Sequence, residues 1–78
     1  MVKEIDLRKC VDFADKKYVV QVKLFEKSIP IYEVTIYVYD WILEKWRNFY
    51  SEYYSDFNTA VLRHTYITNN ISEFIERN

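Results

Sequence analysis

His64 is the one side chain whose ordinary pKa lies near neutrality, so it is the ready general acid or base of this 78-residue chain. It falls in phase with the apolar Ala60, Val61, Ile67 and Ile71, which is where a packed, hydrogen-bonded histidine belongs. Cys10 is the one thiol. As a nucleophile it would need a depressed pKa and a neighbouring base, and the sequence around it supplies neither. One cysteine and one histidine do not make an ordinary zinc set, and a lone cysteine forms no disulfide within the chain. Glu52 and Asp56 stand four apart, a spacing that puts two carboxylates on one helix face for a metal or an acid–base pair. No second ligand pair accompanies them, and a solvated helix face is the commoner meaning of that spacing. Glycine is absent. That excludes phosphate-binding glycine loops, dinucleotide fingerprints, EF-hand turns and nucleophile elbows. These residues predict no catalysis, no metal and no cofactor, and a chain that works by binding.

Ten of the fifteen aromatic residues lie between Ile31 and Phe57, so the question is whether they bind something or fill the core. In Lys17–Phe25, residues Tyr18, Val20, Val22 and Leu24 alternate onto one face; in Ile31–Tyr39, Tyr32, Val34, Ile36 and Val38 do the same. These are the arms of a hairpin. With Phe25 opposite Ile31, Lys23 meets Glu33 and Gln21 meets Thr35, a register that pairs opposite charges and like polarities. Asp40 then reads as an N-cap, and Trp41–Phe57 as a long amphipathic helix. On that wheel Ile42, Leu43, Trp46, Phe49, Tyr50, Tyr53, Tyr54 and Phe57 fill an arc of about 140°, with Trp41 alone among the polar residues opposite. Most of the aromatics are thereby assigned to the core, Trp46 included.

Residues 4–15 fit a helix with Leu7, Cys10, Val11 and Ala14 inward. They also fit a strand with Ile5, Leu7, Val11 and Phe13 inward, which would complete a three-stranded meander and steady an otherwise weak hairpin. After Phe57, residues 59–67 are expected to be helical, with Leu62 and Tyr66 forming a second apolar patch suited to a homodimer. Asn70 and Glu73 resemble a capping box opening a short last helix with Ile71, Phe74 and Ile75 inward. The expected fold is α+β. A small antiparallel sheet of two or three strands (hairpin 17–25/31–39) packs on a long aromatic helix (41–57), with a helical C-terminal segment, in one domain over 1–78.

The N-terminal MVKEIDLRKC carries charges where a signal peptide needs an apolar stretch, and no run approaches the length of a membrane span. A cytoplasmic protein is expected, and the sequon Asn70-Ile71-Ser72 is taken as chance. Residues encoded by A·T-rich codons (Phe, Tyr, Ile, Asn, Lys) dominate, a bias associated with viruses and mobile elements. The net charge of −1 gives no strong nucleic-acid signal. Two binding functions follow as expectations. The first is a small inhibitor or modulator of a host protein, such as an anti-CRISPR or other anti-defence factor. Trp41 would be its anchor and Glu44, Glu52 and Asp56 an acidic rim imitating phosphates toward a nucleic-acid-binding partner. The alternative is single-stranded nucleic-acid binding on the open sheet face through Lys23, Phe25, Tyr37 and Tyr39.

Overall fold

Period-2 alternation runs unbroken through Lys16–Phe25 and Ile31–Asp40, and these segments form β2 and β3 of one antiparallel sheet. The structure is a computed structural model that describes residues 2–76, the Asp6 side chain excepted. β1 (Val2–Phe13) pairs outside β2 and β4 (Lys45–Tyr54) outside β3, giving a meander in the order β1-β2-β3-β4. Helices α1 (Phe57–Asn69) and α2 (Ile71–Glu76) follow. The domain is α+β, as its residue patterns imply. The hairpin register is also the one implied by the cross-strand pattern: Phe25 faces Ile31, Lys23 faces Glu33 and Gln21 faces Thr35.

One face of the sheet meets the helices. Tyr18, Val20 and Val22 from β2, with Val34 and Ile36 from β3, are buried beneath Ala60, Ile67 and Ile71. Each such aliphatic side chain contributes about 2 kcal/mol on leaving water. Ile5, Leu7, Val11 and Phe13 of β1 pack along one flank of this core, so residues 4–15 take the strand alternative. Phe49, Tyr50 and Tyr54 of β4 pack along the other. Ala60, His64 and Ile67 recur at helical spacing along α1 and are its buried side.

The long helix over 41–57 is overturned. Trp41–Glu44 form a turn, Lys45–Tyr54 form β4, and of that segment only Phe57 belongs to a helix. The sheet accordingly has four strands rather than two or three. The misleading periodicity has a physical origin. The β3–β4 register shifts between Ile36 and Tyr37, so that Tyr50 pairs with Ile36, Asn48 pairs with Tyr37, and Phe49 is the extra residue of a bulge. The bulge sends both Phe49 and Tyr50 toward the core, while Trp46 and Tyr53 stand on the second face. Large residues at 46, 49, 50, 53 and 54 then mimic a helical stripe. Aromatic side chains suit strands, and β4 covers a β3 edge that a helix would have left unpaired. Trp46, expected in the core, is an exposed residue.

Asp40 makes the bonds of an N-cap without starting a helix. Its Oδ1 accepts from the backbone N–H of Ile42 at 2.9 Å and of Leu43 at 3.0 Å, after which the chain reverses into β4. The helix cap is Asp56, whose Oδ2 accepts from both the Thr59 N–H and the Thr59 hydroxyl at 2.8 Å. Without glycine, the reversals fall on other residues. Ala14 and Asp15 carry φ of 51° and 64° in the two-residue β1–β2 turn, and Glu44 carries 52°. A left-handed residue other than glycine costs about 1 kcal/mol, least for Asp.

Candidate binding surface

The β3–β4 turn projects three consecutive apolar side chains into water. Trp41 is 60% exposed, Ile42 92% and Leu43 57%. Their backbone is fixed from below by Asp40, which takes the two turn N–H groups on one oxygen and the Arg47 guanidinium on the other at 3.0 Å. The Leu43 N–H and the Arg47 hydrogen bond hold the Asp40 carboxyl below the usual carboxylate range, so the brace stays ionised well into acid. Tyr39 supports the turn from the sheet. Its ring meets Trp41 edge-on at 4.6 Å and Trp46 at 5.2 Å. The result is a preformed apolar tip on an aromatic base, with charged Lys16 and Arg47 at its margin.

The proposed acidic rim does not gather around this tip. Glu44 lies in the turn, but Glu52 is on the core side of β4, about 23 Å of strand away at about 3.3 Å per residue. Glu52 is structural. Its two oxygens accept from Arg63 Nε at 2.9 Å, Arg63 Nη2 at 2.6 Å, Tyr50 at 2.5 Å and Tyr54 at 2.7 Å. Burial alone would push this carboxyl up. The hydrogen bonds from Arg63, Tyr50 and Tyr54, with the Arg63 charge, outweigh it and hold the group down at about 2. Tyr50 is pushed up to about 12 by burial and by its bond to Glu52. Asp56 is spent on the α1 cap. Two of the three rim residues therefore serve the fold, and they do not stand on one surface with Trp41.

His64 is buried beneath α1, with its Nε2–H donating to the Val20 carbonyl at 3.1 Å. Burial lowers its pKa, and backbone hydrogen bonds oppose that only in part. Cys10 is exposed. Among the described residues no three His, Cys, Asp or Glu side chains come together in a group that could hold a metal ion. Among them, too, no helix is long and apolar enough to cross a membrane.

The second sheet face carries the residues of the nucleic-acid alternative, and the structure separates them. Lys23 Nζ donates to the Tyr37 hydroxyl at 2.5 Å and lies 5.1 Å from that ring's centroid. Tyr39 is committed to the two tryptophans, and Phe25 stands at the far end of β2 opposite Ile31. Glu33 is buried between them, accepting from Tyr53 at 3.0 Å. The pair Leu62 and Tyr66 is exposed on α1, with the Tyr66 hydroxyl donating to Glu73 at 2.6 Å.

Ile42 and Leu43 were missed as surface residues because the helical wheel placed them inward. The available signal was Asp40 itself, since an Asp followed by a short run and then Lys45 and Arg47 is equally an Asx-type turn. No protein-family model, curated protein or solved structure matches the chain.

Proposed function

We propose that this protein is a non-catalytic protein-binding module that docks through its β3–β4 tip. Trp41, Ile42 and Leu43 are the anchors and Glu44 is the adjacent charged residue. The observation that carries the reading is the exposure of those three side chains on a turn braced by Asp40 and Arg47. Contiguous exposed apolar residues on a small domain mark an interaction site, and a tryptophan within a polar margin has the make-up of a binding hot spot. Preformation matters as well. A turn already fixed in its bound shape loses less conformational freedom on docking. The positive φ at Glu44 is a local strain that a purely structural turn could relieve with a glycine.

The partner chemistry that fits is an apolar pocket deep enough for an indole and a branched aliphatic chain. The role of a small inhibitor or modulator of a host protein, as in anti-CRISPR and other anti-defence factors, rests on the A·T-rich, motif-free composition and belongs to the same proposal. Phosphate imitation by an acidic rim is not part of it, given where Glu52 and Asp56 stand.

The test is affinity capture from native-cell lysate, with and without nuclease, using the wild type and the Ile42→Ser/Leu43→Ser variant. A discrete protein captured by the wild type after nuclease, and lost by the variant at unchanged thermal stability, is the expected result. Equal capture by both would remove the tip as the docking site.

A further inference from the structure

The two edges of the sheet differ in kind. An open edge offers a row of backbone N–H and C=O groups to another strand, and natural sheets blunt it with charge, proline or a bulge. β1, at one edge, is blunted by charge: Lys3, Glu4, Asp6, Arg8, Lys9 and Asp12 occupy six of its twelve positions. β4, at the other, has no proline and carries no charge from Asn48 to Ser51. Among the described residues it pairs with β3 alone, and no other backbone hydrogen bond reaches it. It also sets two large rings in water, Trp46 at 40% exposure and Tyr53 at 62%. Its one irregularity is the bulge at Phe49, which would spoil pairing with a regular strand.

That bulge makes β4 complementary to itself. In a regular strand, residues an odd number apart face opposite sides. Across the extra residue at Phe49 the parity flips. Trp46, Asn48, Ser51 and Tyr53 all lie on the second sheet face, beside Tyr39, Tyr37, Thr35 and Glu33 of β3. Arg47, Tyr50, Glu52 and Tyr54 lie on the face of Val38, Ile36, Val34 and Tyr32. Two copies of β4 can therefore run antiparallel about a two-fold axis between Phe49 and Tyr50 with every facing pair on one side of the sheet. Trp46 then stands opposite Tyr53 of the second copy, Asn48 opposite its Ser51 and Arg47 opposite its Glu52. Ring meets ring, amide meets hydroxyl, and the charged pair is of opposite sign, the pairings that favour an antiparallel ladder. Arg47 touches Asp40 through Nη1 while its side chain stays 59% exposed, so it can face a second carboxylate. Glu52 is already held by Arg63, and its part is to select the register by sign. The backbone ladder and the two Trp46–Tyr53 contacts supply the affinity. Because bulge faces bulge, neither strand is a residue too long. An extended peptide would need a bulge of its own at the same place, which favours a second copy of this chain as the occupant.

We propose that β4 is a homodimer interface, in which two copies join their β4 edges about a two-fold axis at the Phe49–Tyr50 bulge. The product is one eight-stranded sheet with the helices of both copies on the same face. The assembly is closed, since the edges left at its two ends are the charged β1 strands. It uses neither the β3–β4 tip nor the Leu62 and Tyr66 pair of α1.

The test is sedimentation equilibrium from about 1 μM to about 1 mM, the range of weak to moderate association. A reversible dimer is expected for the wild type, and Leu62→Glu should retain it. Asn48→Lys/Ser51→Lys puts like charges opposite each other at both Asn48–Ser51 pairs, and Asn48→Glu/Ser51→Glu does so with the other sign. Each alone should be monomeric where the wild type is dimeric, and an equal mixture should return the dimer, because lysine then faces glutamate. Circular dichroism confirms that each is folded. Tyr53→Lys, a change at an exposed ring, is the second variant and decides the matter if the charge variants lose their fold. It should weaken the dimer by about tenfold or more at unchanged Tm. A wild type that is monomeric at about 1 mM overturns the proposal. So does a dimer that survives both charge variants, a mixture of folded charge variants that stays monomeric, or association unchanged by Tyr53→Lys.

Discussion

Replacing Glu52 by Gln should cost this domain about 2 kcal/mol at neutral pH and abolish part of its acid sensitivity. The carboxylate side chain is 10% exposed and ties α1 to β4 through a two-point contact with Arg63. Its folded pKa is about 2 against an ordinary 4.5. At about 1.4 kcal/mol per pH unit, that difference sets an upper bound of about 3.5 kcal/mol. Arg63 keeps 32% of its surface in water, and screening there lowers the expected figure to about 2 kcal/mol. For a domain of this size that is a fall of about 10 °C in Tm. The sign in pH follows from the depressed folded value. The contribution is fully present above about 4.5, where the carboxylate is ionised in both states. It fades as pH falls through about 2, where the folded-state group takes up its proton. Urea unfolding of wild type and Glu52→Gln from pH 7 to pH 2 measures this directly. The gap between the curves should be widest at neutral pH and close toward pH 2. Other groups also titrate in this range: Asp40 and Asp56 have lowered pKa values of their own. They are common to both proteins and cancel in the difference. A gap that is constant with pH, or below about 0.5 kcal/mol at pH 7, would refute the account of Glu52 as an ionised, buried partner of Arg63.

Two other outcomes follow from the backbone and the surface. Ala14→Asn and Glu44→Asn should each raise stability by about 0.5–1 kcal/mol, because asparagine accepts the positive φ that Ala14 and Glu44 are forced to adopt; thermal unfolding checks it, and a loss at either site would show that the strain is not there. Leu62→Glu should leave Tm within about 1 °C, since Leu62 is exposed. Sedimentation of the same variant tests the proposed dimer: a wild-type dimer that Leu62→Glu makes monomeric supports an interface through Leu62 and Tyr66, and identical sedimentation removes it.

The hairpin and its register were legible because they depend on neighbours in one strand pair. Lys23 against Glu33 and Gln21 against Thr35 can be read from the letters, and the apolar alternation fixes which face is buried. The phase of α1 was legible for the same reason, with Ala60, His64 and Ile67 spaced as one side of a helix. Trp41 was singled out as the apolar residue that no packing face explained. Its companions Ile42 and Leu43 were hidden, because the same three letters can open a helix or cap a hairpin, and Asp40 makes identical hydrogen bonds in either case.

By itself, then, the sequence determined what local chemistry determines: the alternation and register of the β2–β3 hairpin and the phase of α1. The tertiary structure decided the fate of residues 45–54. A strand with one bulge and aromatics on both faces has the spacing of a helix, and only the unpaired edge of β3 selects between them. It also decided which charges brace the fold. Glu52 and Asp56 look like a solvated acidic face until Arg63 and the start of α1 arrive to engage them. Contacts between segments far apart in the chain make these choices, and no local window contains them.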